Sequence, residues 1–422
     1  MSFPEDKILI LELGKSRINY KKGTTFFEDK NFEILTPVIK LNKTLLTSEE
    51  LESVLKDGNL QNENMIENGI KENKIQFEIQ TDNEKNQLIE EELIINIFKQ
   101  DSKVDWIALR ALLQYLLTIK YGTSIDDNDL AIIFVIPTNW PRINYEELIK
   151  ITFDDLNFTA IYFLEQPLSS LYGYGLVSGT VVHLGATTTT VTPVVDNYIY
   201  KYAIQSIPIG YNEIDKLLLK RLKEDQEFTN NCNDIQIDLK LIKYLRENDY
   251  FIFDQNSNNE EFIEVEYKDA KFNFHNKHRL LINEILFNSD SVLFNKNGFT
   301  YNSIRNLIKT SIDSCDIEKR FLLWENIIVN GGLSKNRTFI KGIEKEISDF
   351  WNSSENIGYT QPNNFKFLNP PEYFRSFKES HHLLTFLGAC ITAKYVFADP
   401  KLHISQVEFN QAGPTIIYNK AG

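Results

Sequence analysis

Four short runs of leucine, isoleucine and valine, three of them leading to glycine, constrain this chain more than any other feature. Residues 7–13 lead into Gly14, residues 180–184 into Gly185, and residues 327–329 toward Gly331 and Gly332; residues 130–136 form the fourth. A further run, 192–195, follows the threonines after Gly185. Runs of this kind lack the alternation of a half-exposed strand and predict strands covered on both faces. Glycine at their ends serves tight strand–turn geometry.

Helical patterns alternate with these runs. Asp105 is placed to cap a helix whose apolar positions include Trp106, Leu109, Leu112, Leu113, Leu116 and Leu117, with Gly122 placed to end it. Further helices are predicted over 212–222, 301–314, 338–350 and 382–397, the last stopping short of Pro400. Strands alternating with helices imply an α/β fold with mixed, mostly internal sheets. Two stretches break the rhythm. Residues 57–92 and 230–276 are rich in Asn and acidic residues, and both read as mobile surface insertions rather than core.

Length and composition bound the function classes. At 422 residues the chain exceeds one simple core and predicts two lobes or more. A net charge of −14 and a pI of about 5.1 leave no broad basic field, so no direct nucleic-acid contact is expected. The short basic run Lys15, Arg17, Lys21, Lys22 reads as solvated surface. Cys232, Cys315 and Cys390 are odd in number and far apart, which fits reduced thiols in a cytosolic or nuclear protein. The longest apolar runs are too short to cross a bilayer and the N-terminus has no signal-peptide pattern. A soluble intracellular protein without a membrane partner is therefore expected.

The histidines read blandly. His275 and His278 have helical spacing, but no cysteine or carboxylate at fixed spacing supports a metal, and a solvated loop is expected there. His183, on a predicted buried strand, reads as a core histidine with a satisfied hydrogen bond.

The C-terminus carries a resemblance. Ile404, Ser405, Glu408, Phe409, Ala412, Gly413, Pro414 and Ile416 stand at the spacing of the actin C-terminus. Segments 157–175, 301–304, 315–320, 325–332 and 369–372 are also similar to actin. The resemblance implies an actin-like two-lobed fold of the actin/Hsp70/hexokinase ATPase type, with a degenerate nucleotide cleft and the two surface insertions. The outer lobe would comprise 1–173 and 386–422, and the inner lobe 174–385.

In such an ATPase two glycine hairpins wrap the phosphates with backbone N–H groups, and an aspartate on each holds the Mg²⁺ water shell. The resemblance aligns the first hairpin with residues 11–16, where Gly14 remains, Glu12 stands near the first aspartate and Lys15 intrudes. The second aligns with 183–187, where His183 and Ala186 replace both metal-side aspartates and Thr187 the second glycine; Gly185 is kept. The water-orienting glutamine persists as Gln166, the histidine position holds Thr190, and Phe374 falls near the adenine-side lysine. Gly331 and Gly332 complete the implied cleft. The pattern implies no catalysis, no metal site and no confident cofactor site. Weak ATP binding without hydrolysis is the most that it allows.

Within the actin family, segments 206–210, 324–328, 386–389 and 397–401 are similar to the fungal actin-related proteins of the type 9 group, subunits of SWI/SNF and RSC chromatin remodellers. That resemblance implies a nuclear, non-catalytic structural subunit. Its partners would be a second actin-related protein of type 7 and the helicase–SANT-associated helix of the motor ATPase, with room for a small accessory subunit. Helix-contacting positions would fall in 157–172 and 397–417. An actin-related subunit capping the short filament of dynactin is the alternative. A filament-forming ATPase would require the missing aspartates.

Overall fold

The structure, a computed structural model, describes residues 3–24, 33–42, 75–80, 92–99, 103–232, 235–252, 262–268, 270–287, 295–296, 299–352, 364–374, 377–378 and 380–420. It divides into two compact units, Met1–Ser169 with Phe386–Gly422, and Ser170–Thr385.

The first unit is built on an eight-stranded mixed sheet. At its centre Ile8–Glu12 runs parallel to Ala131–Ile136, which runs parallel to Ala160–Glu165. All the residues of the first two strands are buried, as the unbroken apolar runs require. Ile18–Lys22 turns back antiparallel on Ile8–Glu12 and hands on to Glu33–Asn42. Trp106–Tyr115 covers this sheet, and Asp105 caps it by accepting a hydrogen bond from the Ala108 N–H at 3.1 Å. Leu109, Leu112, Leu113 and Leu116 of the apolar stripe join Leu9, Leu11, Ile132 and Phe134 in one core. The helix is relaxed into a π-turn over Leu116–Lys120 before Gly122 adopts φ of +61°.

Part of the first expected insertion belongs to this sheet. Ile75–Gln80 pairs antiparallel with Glu33–Asn42. The remainder, 57–74 and 81–91, lies outside the described residues.

The second unit holds a five-stranded sheet in the order Tyr198–Ile199, Thr189–Val195, Gly179–Leu184, Ile327–Gly331, with Gln205–Ile207 also paired to Thr189–Val195. Ile327–Gly331 is parallel to Gly179–Leu184, and Thr189–Val195 is antiparallel to it. Tyr211–Glu224, Ile304–Asp313, Ile317–Glu325 and Arg337–Asn352 supply the helical cover.

The second expected insertion, 230–276, is corrected by the structure. Its described residues form elements that pack one face on the core. Asp238 caps the helix Leu239–Glu247, which buries Leu241, Ile242 and Leu245. Phe262–Tyr267 and Ala270–His275 form a hairpin that buries Val265, Tyr267, Phe272 and Phe274 on one face and exposes Glu264, Glu266, Lys271 and Asn273 on the other. This is the two-residue alternation of a half-covered strand, and the polar face that it shows accounts for the composition that reads as an insertion. The expected solvated loop at His275 and His278 is also corrected. His278 is nearly fully buried between Phe228 and Phe274, with its Nε2 3.2 Å from the Asp225 carboxylate.

Candidate functional site

The first glycine turn follows from strand pairing. Glu12 is opposite Asn19 in the antiparallel register, and 13–17 close the turn between them. Gly14 needs its lack of a side chain, because a Cβ would lie 2.6 Å from the Arg17 carbonyl oxygen. Glu12 is buried, and the Asn19 amide donates to its Oε2 at 2.7 Å. Burial pushes the Glu12 carboxyl above the usual carboxylate range, while Arg17 and hydrogen bonds from Asn19 and Gln166 pull the other way. Two of the predicted site residues, Glu12 and Gln166, are thus joined directly. The carboxylate is engaged by side chains of its own unit.

In the second unit the parallel register sets His183 beside Asn330, and Leu184 beside Gly331. His183 Nδ1 lies 2.8 Å from Asn330 Oδ1. The Asn330 amide donates to the Ser170 hydroxyl and, at 3.2 Å, to Thr385 Oγ1; these two hydroxyls are 3.0 Å apart. With its amide nitrogen so engaged, Asn330 presents its oxygen to His183, which fixes the imidazole with its proton on Nδ1. His183 is therefore the hydrogen-bonded strand histidine that its position predicts. Thr190 stands directly opposite it across the hairpin.

The second glycine turn is closed by the Gly185 N–H to the Thr188 carbonyl at 2.9 Å. Its carbonyls are also occupied. The N–H groups of Tyr211 and Asn212, at the start of the helix Tyr211–Glu224, donate to Gly185 and Ala186, each at 3.0 Å. Gly331, at φ of +94°, crosses so close to Leu184 that any Cβ would overlap its carbonyl. Gly332 is covered by the Tyr211 ring. Phe374 packs with Tyr373 at a ring-centroid distance of 4.3 Å and adds no charge.

Sequence reasoning missed Asn330, Tyr211 and the buried pair behind Tyr211. Arg246 donates from Nε and Nη2 to the Asp215 carboxylate at 2.8 and 3.1 Å, and its Cζ lies 4.6 Å from the Tyr211 ring centroid. The only signal was positional. Asn330 immediately precedes the diglycine and Tyr211 follows Gly210 at a helix start.

Two α/β units, each with a mixed sheet whose central strand runs into a glycine turn, define the actin-type ATPase fold. The chain belongs to the actin family: the family's model, "Actin", matches residues 56–421. It is 24% identical over 322 residues to actin-related protein 7 of rice (Oryza sativa), covering 75% of this chain and 83% of that protein. It is 24% identical over 317 residues to actin-related protein 7 of Arabidopsis thaliana, covering 75% and 82%. It is also 25% identical over 329 residues to putative actin-29 of Dictyostelium discoideum, covering 76% and 78%.

The family's fold implies a Mg²⁺-bound nucleotide, and the residues can be tested against it. Mg²⁺ requires oxygen ligands, chiefly carboxylates and water. Residues 184–189 of the second turn offer no carboxylate, and Glu12 at the first is buried among its own partners. Among the described residues no group of three or more His, Cys, Asp or Glu is placed to hold a metal. Thr187 Oγ1 is buried without a hydrogen-bond partner among the described residues, a hydroxyl that can donate to an anion or offer its oxygen to a cation. With no carboxylate at the second turn and Glu12 engaged at the first, these residues do not fit the carboxylate set that a metal–phosphate complex needs.

Proposed function

We propose that this actin-related protein is a non-catalytic structural subunit of a SWI/SNF- or RSC-type chromatin remodeller, of the actin-related protein 9 type. It pairs with a second actin-related protein of type 7 and clamps the helicase–SANT-associated helix of the motor ATPase, and it resides in the nucleus. One observation carries the non-catalytic half of this reading: the second turn offers no metal-binding carboxylate, and its strand histidine is committed to Asn330. Metal-assisted phosphoryl chemistry needs that charge, which contributes several kcal/mol. The subgroup and the partners rest on the short segments similar to that group. Identities of 24% and 25% to an actin-related protein and to a putative actin favour neither relative over the other.

Mechanically, the subunit binds a long amphipathic helix through apolar side chains and stiffens it. The first unit offers exposed apolar residues for this near its C-terminus: Ile391, Tyr395, Val407 and Tyr418.

The test is to tag the chain at its native locus, purify it gently and identify its companions by mass spectrometry. A Snf2-type motor recovered together with a second actin-related protein supports the reading. Dynactin components, or the chain alone as polymer, overturn it.

A further inference from the structure

Tyr211 connects two glycine elements of the candidate site that are far apart in sequence. Its N–H donates to the Gly185 carbonyl at 3.0 Å, which ties it to the second turn. Its ring fills the space that the missing side chain of Gly332 leaves: a Cβ on Gly332 would overlap ring atoms Cε1, Cδ1 and Cζ. Gly210, just before it, has no room for a side chain either, because a Cβ would overlap Ala186 and Thr187. The tyrosine is thereby held against the turn by its backbone and against the diglycine by its ring.

A third hold comes from Arg246. Its guanidinium lies over the same ring, 4.6 Å from the centroid, and is 1% exposed. The bidentate pair with Asp215 fixes it there, and the Asn336 amide donates to its backbone carbonyl at 3.4 Å. A guanidinium held in place over a ring can stack on a nucleic-acid base as well as on a phenol. The space between Gly332 and Arg246 is thus suited to an aromatic ring, and the chain supplies one.

We infer that Tyr211 is an internal plug, which fills a slot for a planar purine-like base on the second unit and keeps it closed. This rests on the non-hydrolysing reading above and deepens its nucleotide half; the partner half is independent of it. The bareness of Gly332 serves the protein's own tyrosine, so a nucleoside must displace that side chain before it can use the same surface. Displacement would cost the ring's contacts with both Gly332 and Arg246.

Adenosine is the probe, because it carries the base without phosphates that the second turn could bind by charge. Binding to the full chain is measured by calorimetry for wild type, Tyr211→Ala and Tyr211→Phe. The alanine variant is expected to bind adenosine at least tenfold more tightly than wild type, and the phenylalanine variant to match wild type. Equal binding by wild type and a folded alanine variant, including none by either, overturns the plug. Fluorotyrosine labelling covers the case in which the alanine variant does not fold. The ¹⁹F resonance of position 211, assigned by its loss in Tyr211→Phe, is expected to shift or broaden together with whatever adenosine binds to the wild type, and to stay unmoved where none binds; adenosine bound with the resonance unmoved overturns the inference. None of these outcomes alters which partners are recovered by mass spectrometry.

Discussion

The imidazole of His183 donates from Nδ1 to Asn330 Oδ1 at 2.8 Å, and through that one asparagine it is connected to both ends of the second unit. Ser170 and Thr385, the first and last residues of that unit, both accept from the Asn330 amide. The network is buried except at the half-buried His183, and its members share partners. A strand position that the fold's resemblance assigns to metal chemistry here fastens the chain where it enters and leaves the unit.

Asn330→Leu tests this. It removes three hydrogen bonds at nearly constant volume and leaves the Ser170 and Thr385 hydroxyls and the His183 ring with one partner fewer. We expect a loss of about 2–4 kcal/mol in urea denaturation of the full chain. A change below ~0.5 kcal/mol would show that the network contributes nothing to stability.

The buried ion pair behind the plug gives a second expectation. Asp215→Ala leaves the Arg246 guanidinium charged and nearly fully buried, with Glu247, 3.8 Å from its Nη2, the nearest remaining acid. Breaking such a pair costs about 3–5 kcal/mol, whereas replacing both partners by apolar residues is often close to neutral. The double variant Asp215→Leu with Arg246→Met should therefore recover most of the loss. If it is as unstable as the single variant, the cost does not come from the orphaned charge.

The acid response follows from the buried histidines. His381 bonds the Tyr174 hydroxyl at 2.7 Å, and burial pulls its pKa down to about 4. In the unfolded chain a histidine titrates near ~6.5. The unfolded state thus takes up a proton before the native state does, and stability is lost as pH falls from ~6.5 toward about 4. His278 and His403 are also lowered by burial and act in the same direction. Urea midpoints measured from pH 7 to 4 should fall, and His381→Gln should make the slope shallower. An unchanged slope in that variant would remove His381 from the account.

The corrected segment supplies a fourth expectation. Phe274 is fully buried and meets Phe228, Phe251 and Phe272 edge to face. Phe274→Ala is expected to cost about 3–5 kcal/mol. A surface insertion would tolerate the change, so a near-neutral result would restore that reading.

Val407 bears on the proposed partner. It is 66% exposed on Gln406–Ala412, a helix held by the capping box of Ser405 and Glu408. Val407→Glu should leave the melting temperature unchanged and abolish pull-down of the motor helix. Retained binding by the folded variant would place the helix elsewhere.

The sequence by itself determined the central buried strands, five of the helices and the class of fold. Short apolar runs rich in β-branched residues, such as 131–136, favour an internal strand over a buried helix by their length and composition, and Asp105 caps its helix by local geometry alone. The capping box at Ser405 and Glu408 is local in the same sense. Residues 230–276 misled because half of a one-sided hairpin and half of an amphipathic helix are polar, and composition averages over faces that packing separates. The candidate site divides along the same line. Which residues stand at the glycine turns could be read along the chain. What those residues do was decided by tertiary structure, because His183 meets Asn330 across 147 positions and the Tyr211 ring reaches Gly332 only when a helix start is docked against a parallel strand pair. Such contacts depend on register and distance in three dimensions, and no local spacing encodes them.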